Sequence, residues 1–450
     1  MTLFTNNARR WLETILEERF GKRFDLLEQP NMLVLRLSGQ KGEIKFDHLQ
    51  SAFHQSRSSF PCKQWQASLE GYVAPIEDEI PAPSESQLPS PLIEVDKQSV
   101  FVHYDILGLT YWMLSRLEEV NREDLDGHQR FPATSSHAYK CNYLERPIVD
   151  EWLIILGQVI LRVWPQVKLK PHQFSIKVSH DVDTPSLYGF KRWTSIGRMM
   201  VGHLLKRRDF RACLMAPYIK LSTRSQLNPA DPFNTFDWLM DVSEANGLQS
   251  AFYFICGRTD PARDADYEPE HPAIRNLMRR IHERGHEIGL HPSYDTFQKP
   301  DLIKREADRL KNICAKEGIK QTEWGGRMHY LRWAQSTTMR AWDAAGLSYD
   351  STLGYADRPG FRCGTCHEYP AFDPVGQERL NLRIRPLVVM ECTVIDQMYL
   401  GLGVSEAADQ RIRLLKERSR SVKGTFGLLW HNSYFDDTAC KSIYESIIER

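Results

Sequence analysis

Phe174-Ser175-Ile176-Lys177-Val178-Ser179-His180-Asp181-Val182-Asp183 decides how the rest of the chain is read. Apolar residues at alternate positions predict a buried strand. Thr184-Pro185 ends it. Two carboxylates stand two residues apart at the C-terminal end of that strand, just behind a His. Asp is depleted from strands, so the pair needs a reason. One is turn capping. The other is chemistry at a strand C-terminus, where α/β barrels and open α/β sheets carry their sites.

Downstream, strand and helix alternate. Thr235 is expected to cap a helix that ends at Gly247, with a strand at 250–255. Pro272 opens a helix that ends at Gly285, and 287–291 is the next strand. Helices are expected at 302–317, with Gly318 past the end, and at 334–345, followed by a strand at 347–349. Strands at 387–391 and 426–430 flank a helix at 406–417. Repeated βα units predict a parallel sheet or barrel with its site at the strand C-termini.

Four polar clusters fall at those ends. They are Asp181 with Asp183; His291-Pro292-Ser293-Tyr294-Asp295; Arg327-Met328-His329-Tyr330 after Trp324-Gly325-Gly326; and His431 after Leu428-Leu429-Trp430. Asp and His suit a borderline divalent metal with water in an open position. A remaining carboxylate could deprotonate that water and His431 could protonate a leaving group, which is metal-assisted hydrolysis.

The first 170 residues read differently. Apolar spacing predicts a helix from Trp11 to Phe20. Strands are expected at 32–37, 42–46 and 100–104. Pro81, Pro83, Pro89 and Pro91, with three interspersed serines, mark a loop. Asp105 is a plausible N-cap for the helix that follows, and 148–164 is a second amphipathic helix. No metal-ligand cluster or phosphate loop is concentrated here.

The bulk numbers exclude more than they assign. The 450 residues are 42% hydrophobic and 26% charged, ordinary for a globular protein of two or three domains. Lys plus Arg equals Asp plus Glu at 58 each, so net charge gives no argument for nucleic acid or an anionic membrane. The N-terminus lacks a signal peptide's apolar core and no run is long enough for a span, so a cytoplasmic location is expected. Nine Cys read as reduced thiols. Cys363-Gly364-Thr365-Cys366-His367 matches c-type haem attachment, but that needs export. The segment is expected to be two thiols in a Gly-rich loop.

The stretch from Phe174 to Phe435 resembles the NodB-like polysaccharide deacetylases, carbohydrate esterase family 4. Ser179-His180-Asp181-Val182-Asp183 looks like a D-x-D version of that family's acidic pair. Gly285-His286-Glu287-Ile288-Gly289-Leu290-His291 is similar to its second motif. Arg327-Met328-His329-Tyr330 resembles its Arg-x-Pro-Tyr motif with His in the Pro position. Leu429-Trp430-His431 resembles its Leu-x-His motif.

The resemblance implies an α/β fold, a distorted (β/α) barrel of the deacetylase type over 171–450, preceded by a smaller α/β domain over 1–170. It implies Asp181 as base and His431 as general acid. It implies Asp183 and His291 as metal ligands, with Asp295 in the second His position. It implies Arg327 holding the base, and Tyr330 N–H facing the oxyanion. Arg362 is expected on the site rim. The family's fourth motif is unplaced, with Asp350 and Asp396 as candidates. One divalent ion is implied: zinc, or manganese or iron given the harder Asp/His/Asp set. The implied activity is N-deacetylation of an acetamido sugar in a nucleotide- or lipid-linked precursor of bacterial surface polysaccharide, with no nucleic-acid partner. The alternative left open is an inactive carbohydrate-binding or assembly protein that keeps the fold.

Overall fold

The computed structural model describes residues 4–96, 99–435 and 437–449. Strands β1 Phe24–Gln29, β2 Met32–Leu37 and β3 Glu43–Phe46 come first, then β4 Cys62–Gln66, β5 Glu79–Pro83, β6 Ile93–Val95 and β7 Ser99–Val102. Five of them form a sheet in the order β1-β2-β3-β7-β6, and β4 with β5 forms a separate antiparallel ribbon. The expected loop around Pro81 and Pro83 is therefore partly strand. A two-stranded ribbon tolerates them, because each strand has a free edge that needs no N–H.

Helices cover this sheet where local signals place them. Asn6–Phe20 is capped by Thr5 and stops at Gly21, which takes a left-handed φ of 67°. Ile106–Leu114 begins at Asp105, whose Oδ1 accepts from the Gly108 N–H at 2.7 Å. Ile148–Val163 buries one apolar stripe.

The second sheet holds the site. Its strands are β8 Ser175–Val182, β9 Ala251–Ile255, β10 Glu287–His291, β11 Gly325–Gly326, β12 Tyr349–Asp350, β13 Tyr369–Asp373, β14 Glu378–Ile384, β15 Val389–Met390 and β16 Thr425–Leu429. Their order is β13-β14-β12-β11-β10-β9-β8-β16-β15. Every pairing is parallel except that of β13 with β14. With β13 and β15 left as edges the ring of hydrogen bonds does not close, which fits a distorted, open barrel. The parallel register brings the C-terminal ends of β8, β10, β11, β15 and β16 to one rim.

Two features of this half were not expected from sequence. One is the β13–β14 hairpin. The other is a pair of helices, Trp193–Gly202 and Phe210–Ser222, inserted directly after β8. The core does not stop at residue 170. One apolar cluster runs from Phe4 to Ile448 through both sheets. Trp11 stacks on Phe372 with ring centroids 5.0 Å apart and donates Nε1–H to the Pro370 carbonyl at 2.8 Å.

Candidate functional site

Strand alternation places the first residues. Side chains two apart on β8 share a face, so Ser179 and Asp181 point to the interior and both meet Arg327. The guanidinium donates Nη1–H to Asp181 Oδ1 at 2.8 Å and Nη2–H to Ser179 Oγ at 2.8 Å. Two further donors go to the Ser351 carbonyl and Ser351 Oγ, both at 3.0 Å. Arg327 can pack this tightly because Gly325 and Gly326 precede it. A Cβ on Gly326 would overlap the Leu290 carbonyl, and one on Gly325 would overlap the Tyr349 ring.

His180 falls on the opposite face. It is fully buried against Phe252, its Nδ1 pairs with the Trp430 carbonyl at 2.7 Å, and burial pulls its pKa down to about 3. The residue that precedes the acidic pair thus belongs to the packing behind the sheet.

Asp183, just beyond β8, faces three imidazoles. His291 Nε2 lies 3.3 Å from its Oδ1. His329 Nε2 and His431 Nε2 each lie 3.6 Å from its Oδ2. One ligand atom from each of Asp183, His291 and His329 falls within a 4.8 Å group. Each partner ring is oriented from behind, as metal-ligating imidazoles usually are. His291 Nδ1 pairs with the Arg327 carbonyl at 2.6 Å, and His329 Nδ1 with Asp264 Oδ1 at 3.1 Å. The carboxylates and imidazoles here shift one another's titration. Burial alone would raise the Asp183 pKa, yet His329 and His291 hold it well below the usual carboxylate range. Burial would lower that of His329, yet Asp183 and Asp264 push it up to about 9. Asp183 Oδ1 is buried without a hydrogen-bond partner, so a divalent ion fits this donor set by supplying what Oδ1 lacks.

Asp295 is a correction. Its backbone N–H donates to Thr259 Oγ1, and a single helical turn at Tyr294–Thr296 carries its side chain outward. There its carboxylate, 42% exposed, accepts from Arg332 Nη1 at 2.9 Å. His329, from the loop after β11, stands with Asp183 and His291 instead.

His431 lies across the cavity. Its Nδ1 is 2.5 Å from Glu391 Oε1, which also accepts the His431 backbone N–H at 3.1 Å. Burial lowers its pKa, but Glu391, Asp183 and Asp181 together raise it to about 10. Glu391 was missed in the sequence, although it ends the strand expected at 387–391. Asp350 and Asp396 do not line the cavity themselves. Asp350 accepts from Thr352 N–H at 2.8 Å and Trp333 Nε1–H at 3.2 Å, and Asp396 from Tyr434 Oη–H at 2.6 Å.

Arg362 is the second correction. It is 2% exposed, donates Nε–H to Glu119 Oε1 at 2.9 Å, and holds the Gly354 carbonyl. It is an internal ion-pair partner and not a rim residue. Cys363 and Cys366 are buried free thiols, and Cys366 packs on Asp150.

The assembled cavity measures about 240 Å³. Asp181, Asp183, His291, His329 and His431 line it, together with Tyr330, Tyr399, Tyr434 and Arg130. Tyr330 sits at φ 60°, an uncommon conformation for a non-glycine residue. Arg130, from the first half of the chain, donates Nη1–H to the Tyr330 carbonyl at 2.9 Å. A separate cavity of about 180 Å³ lies beneath, lined by Lys177, Glu287 and Arg385, without the three clustered ligands.

Against known proteins, the model described as a family of unknown function (DUF7033) matches residues 3–165. No curated protein matches the sequence. Among solved structures, the chain is similar to a protein assigned as a polysaccharide deacetylase from Mycobacterium smegmatis. That match has 15% identity and a TM-score of 0.40, and covers 62% of this chain and 84% of the other. It is also similar to the Puue allantoinase, at 12% identity and a TM-score of 0.34, covering 62% and 87%. A protein assigned as a polysaccharide deacetylase from Pseudomonas aeruginosa PAO1 gives 15% identity and a TM-score of 0.33, with 62% and 87% covered.

Proposed function

We propose that this chain is a divalent-metal-dependent hydrolase of a C–N amide bond, an N-deacetylase of an acetamido sugar in a bacterial surface-polysaccharide precursor. The observation that carries the proposal is the convergence of Asp183, His291 and His329 on one point, with Asp181 and His431 lining the same cavity. In this reading residues 171–450 are the catalytic unit and 1–170 an N-terminal α/β unit. Its setting is cytoplasmic.

Asp183, His291 and His329 would hold the ion. Zinc bound there, or manganese or iron, would polarise the acetyl carbonyl and acidify water. The chain's own groups do the rest. Asp181, held in place by Arg327, takes the proton of the attacking water. The Tyr330 N–H faces the oxygen on which charge develops. His431, oriented by Glu391, gives its proton to the departing nitrogen as the C–N bond breaks. Acetate and a free amine leave. The three tyrosines offer faces on which a sugar can stack.

Metal analysis combined with acetate release from a panel of nucleotide- and lipid-linked N-acetyl sugars tests the reading. Asp181→Asn should lower turnover by roughly 10²–10⁴-fold while metal stoichiometry holds. If the metal is lost instead, Asp181 is a ligand. If the native chain takes up no divalent ion, the hydrolase reading fails.

A further inference from the structure

Charge in this molecule is balanced overall but not locally. Residues 191–224 hold nine Lys or Arg against a single acid, Asp209, which leaves 49 basic against 57 acidic residues elsewhere. Arg192, Arg198, Lys206, Arg207, Arg208, Arg211 and Arg224 are all exposed. The same segment exposes a concentration of large apolar side chains. On Phe210–Ser222, Phe210, Leu214, Tyr218 and Leu221 are 68%, 73%, 57% and 54% exposed. Their spacing of four, four and three residues makes one helical stripe. The preceding segment repeats it: Trp193, Val201 and Leu204 follow the same period, and Leu205 beside them is 72% exposed.

A helix that belonged wholly to the protein would turn such a stripe inward. Here the inward side is small. Ile196, Ala216 and Ile219 pack with Tyr188 in a cluster of their own, apart from the main core. Asp231 pins the root of the insertion, accepting the Leu187 N–H at 2.9 Å. The root begins where Asp183 ends, so the helices rise from the rim that carries the catalytic cavity.

We infer that this helical insertion is a membrane-surface anchor that docks on an anionic phospholipid bilayer. Apolar stripes ringed by exposed Lys and Arg fit lipid better than a neutral protein surface, because both halves of the signal are met at once: acyl chains take the stripe and anionic headgroups take the cations. Among the described residues no helix is long and apolar enough to cross a membrane, so the segment would lie in the interface. Resting on the deacetylase reading, this placement selects a lipid-linked glycan over a nucleotide-linked one, since the cavity would open beside the bilayer.

Co-sedimentation of the full chain with phosphatidylcholine vesicles, with and without phosphatidylglycerol, tests the anchor. Binding should need the anionic lipid and weaken when salt is raised to about 0.5 M. Lys206→Glu with Arg207→Glu, or Phe210→Ser with Leu214→Ser and Tyr218→Ser, should each reduce it by roughly tenfold or more. All five positions are exposed, and circular dichroism checks that the variants fold. Asp183→Asn should bind vesicles like the native chain, which separates failure of the anchor from failure of the catalytic reading. Equal binding by native and variant chains overturns the inference. So does a native dimer, seen by light scattering, that ignores vesicles and separates in the apolar variant. So does binding to heparin or DNA but not to vesicles.

Discussion

His329 stands where sequence reading put Asp295, and the exchange is understandable from side-chain geometry. A ligand four residues after His291 needs the intervening turn to bring its side chain back to the rim. Here the turn at Tyr294–Thr296 sends Asp295 to Arg332, while His329 approaches from the neighbouring loop with Asp264 behind it. His329→Ala should therefore remove the bound ion, and Asp295→Ala should leave stoichiometry unchanged, read by metal analysis of the purified variants; the reverse pattern would restore Asp295 as ligand. Glu391 supports another prediction. It holds His431 by the ring and by the backbone N–H, so Glu391→Gln should cost about 10–100-fold in kcat with metal content intact. Asp181, Asp183, His291 and His431 were all legible as strand-end residues. Glu391 and Asp264 were not given roles, because a carboxylate that serves another side chain leaves no spacing pattern of its own.

The elements were legible where the chain obeys a local rule. The strands around β8, β9, β10 and β16 announce themselves by apolar runs, and the helix Pro272–Glu283 by its first residue. β11 and β12 are only two residues each, too short for any periodicity. The insertion Trp193–Ser222 escaped because Phe210–Ser222 carries apolar residues on both its buried and its exposed face, with Pro217 inside it, so no one-sided period marks it as a helix. Asp105 gives an element-scale test. It caps Ile106–Leu114 and also accepts the Gln50 N–H at 3.0 Å. Burial raises its pKa to about 6, against those two hydrogen bonds that lower it. The folded value lies above the unfolded one, so the fold binds the proton more tightly. That contribution is complete below about pH 4 and is lost as pH rises through 6. Asp105→Asn removes the ionisation but keeps a capping oxygen. Its effect on stability should become more favourable by about 2–3 kcal/mol between pH 4 and pH 7.5, measured by denaturant unfolding. A pH-independent difference would show that Asp105 titrates normally.

At the scale of the whole molecule, the two halves share more than a boundary. Glu119, from the first half, sits between Arg116 and Arg362, and all three are buried. Arg116 also reaches the Tyr355 hydroxyl at 3.5 Å. Arg130 and the Ala133 N–H, which donates to Asp357 Oδ1 at 2.9 Å, fasten the same half to the site rim. Composition and length favoured separate domains, because a break in pattern near residue 170 is visible in one dimension and a shared core is not. The desolvation of four charges, Arg116, Glu118, Glu119 and Arg362, makes this cluster costly to break from one side. Glu119→Gln would leave the buried Arg362 guanidinium facing a neutral partner while Arg116 keeps the Glu118 carboxylate at 3.2 Å, at a cost of about 3–5 kcal/mol. If the halves were independent, that loss would appear in one of two calorimetric transitions. The common cluster from Phe4 to Ile448 argues for the other outcome: native and variant chains should each unfold in a single transition, lowered as a whole in the variant, and any bound ion should be released in that same step. Two transitions, with only one displaced, would mean that the first half is a separable unit and that Arg130 reaches the cavity from a detachable domain.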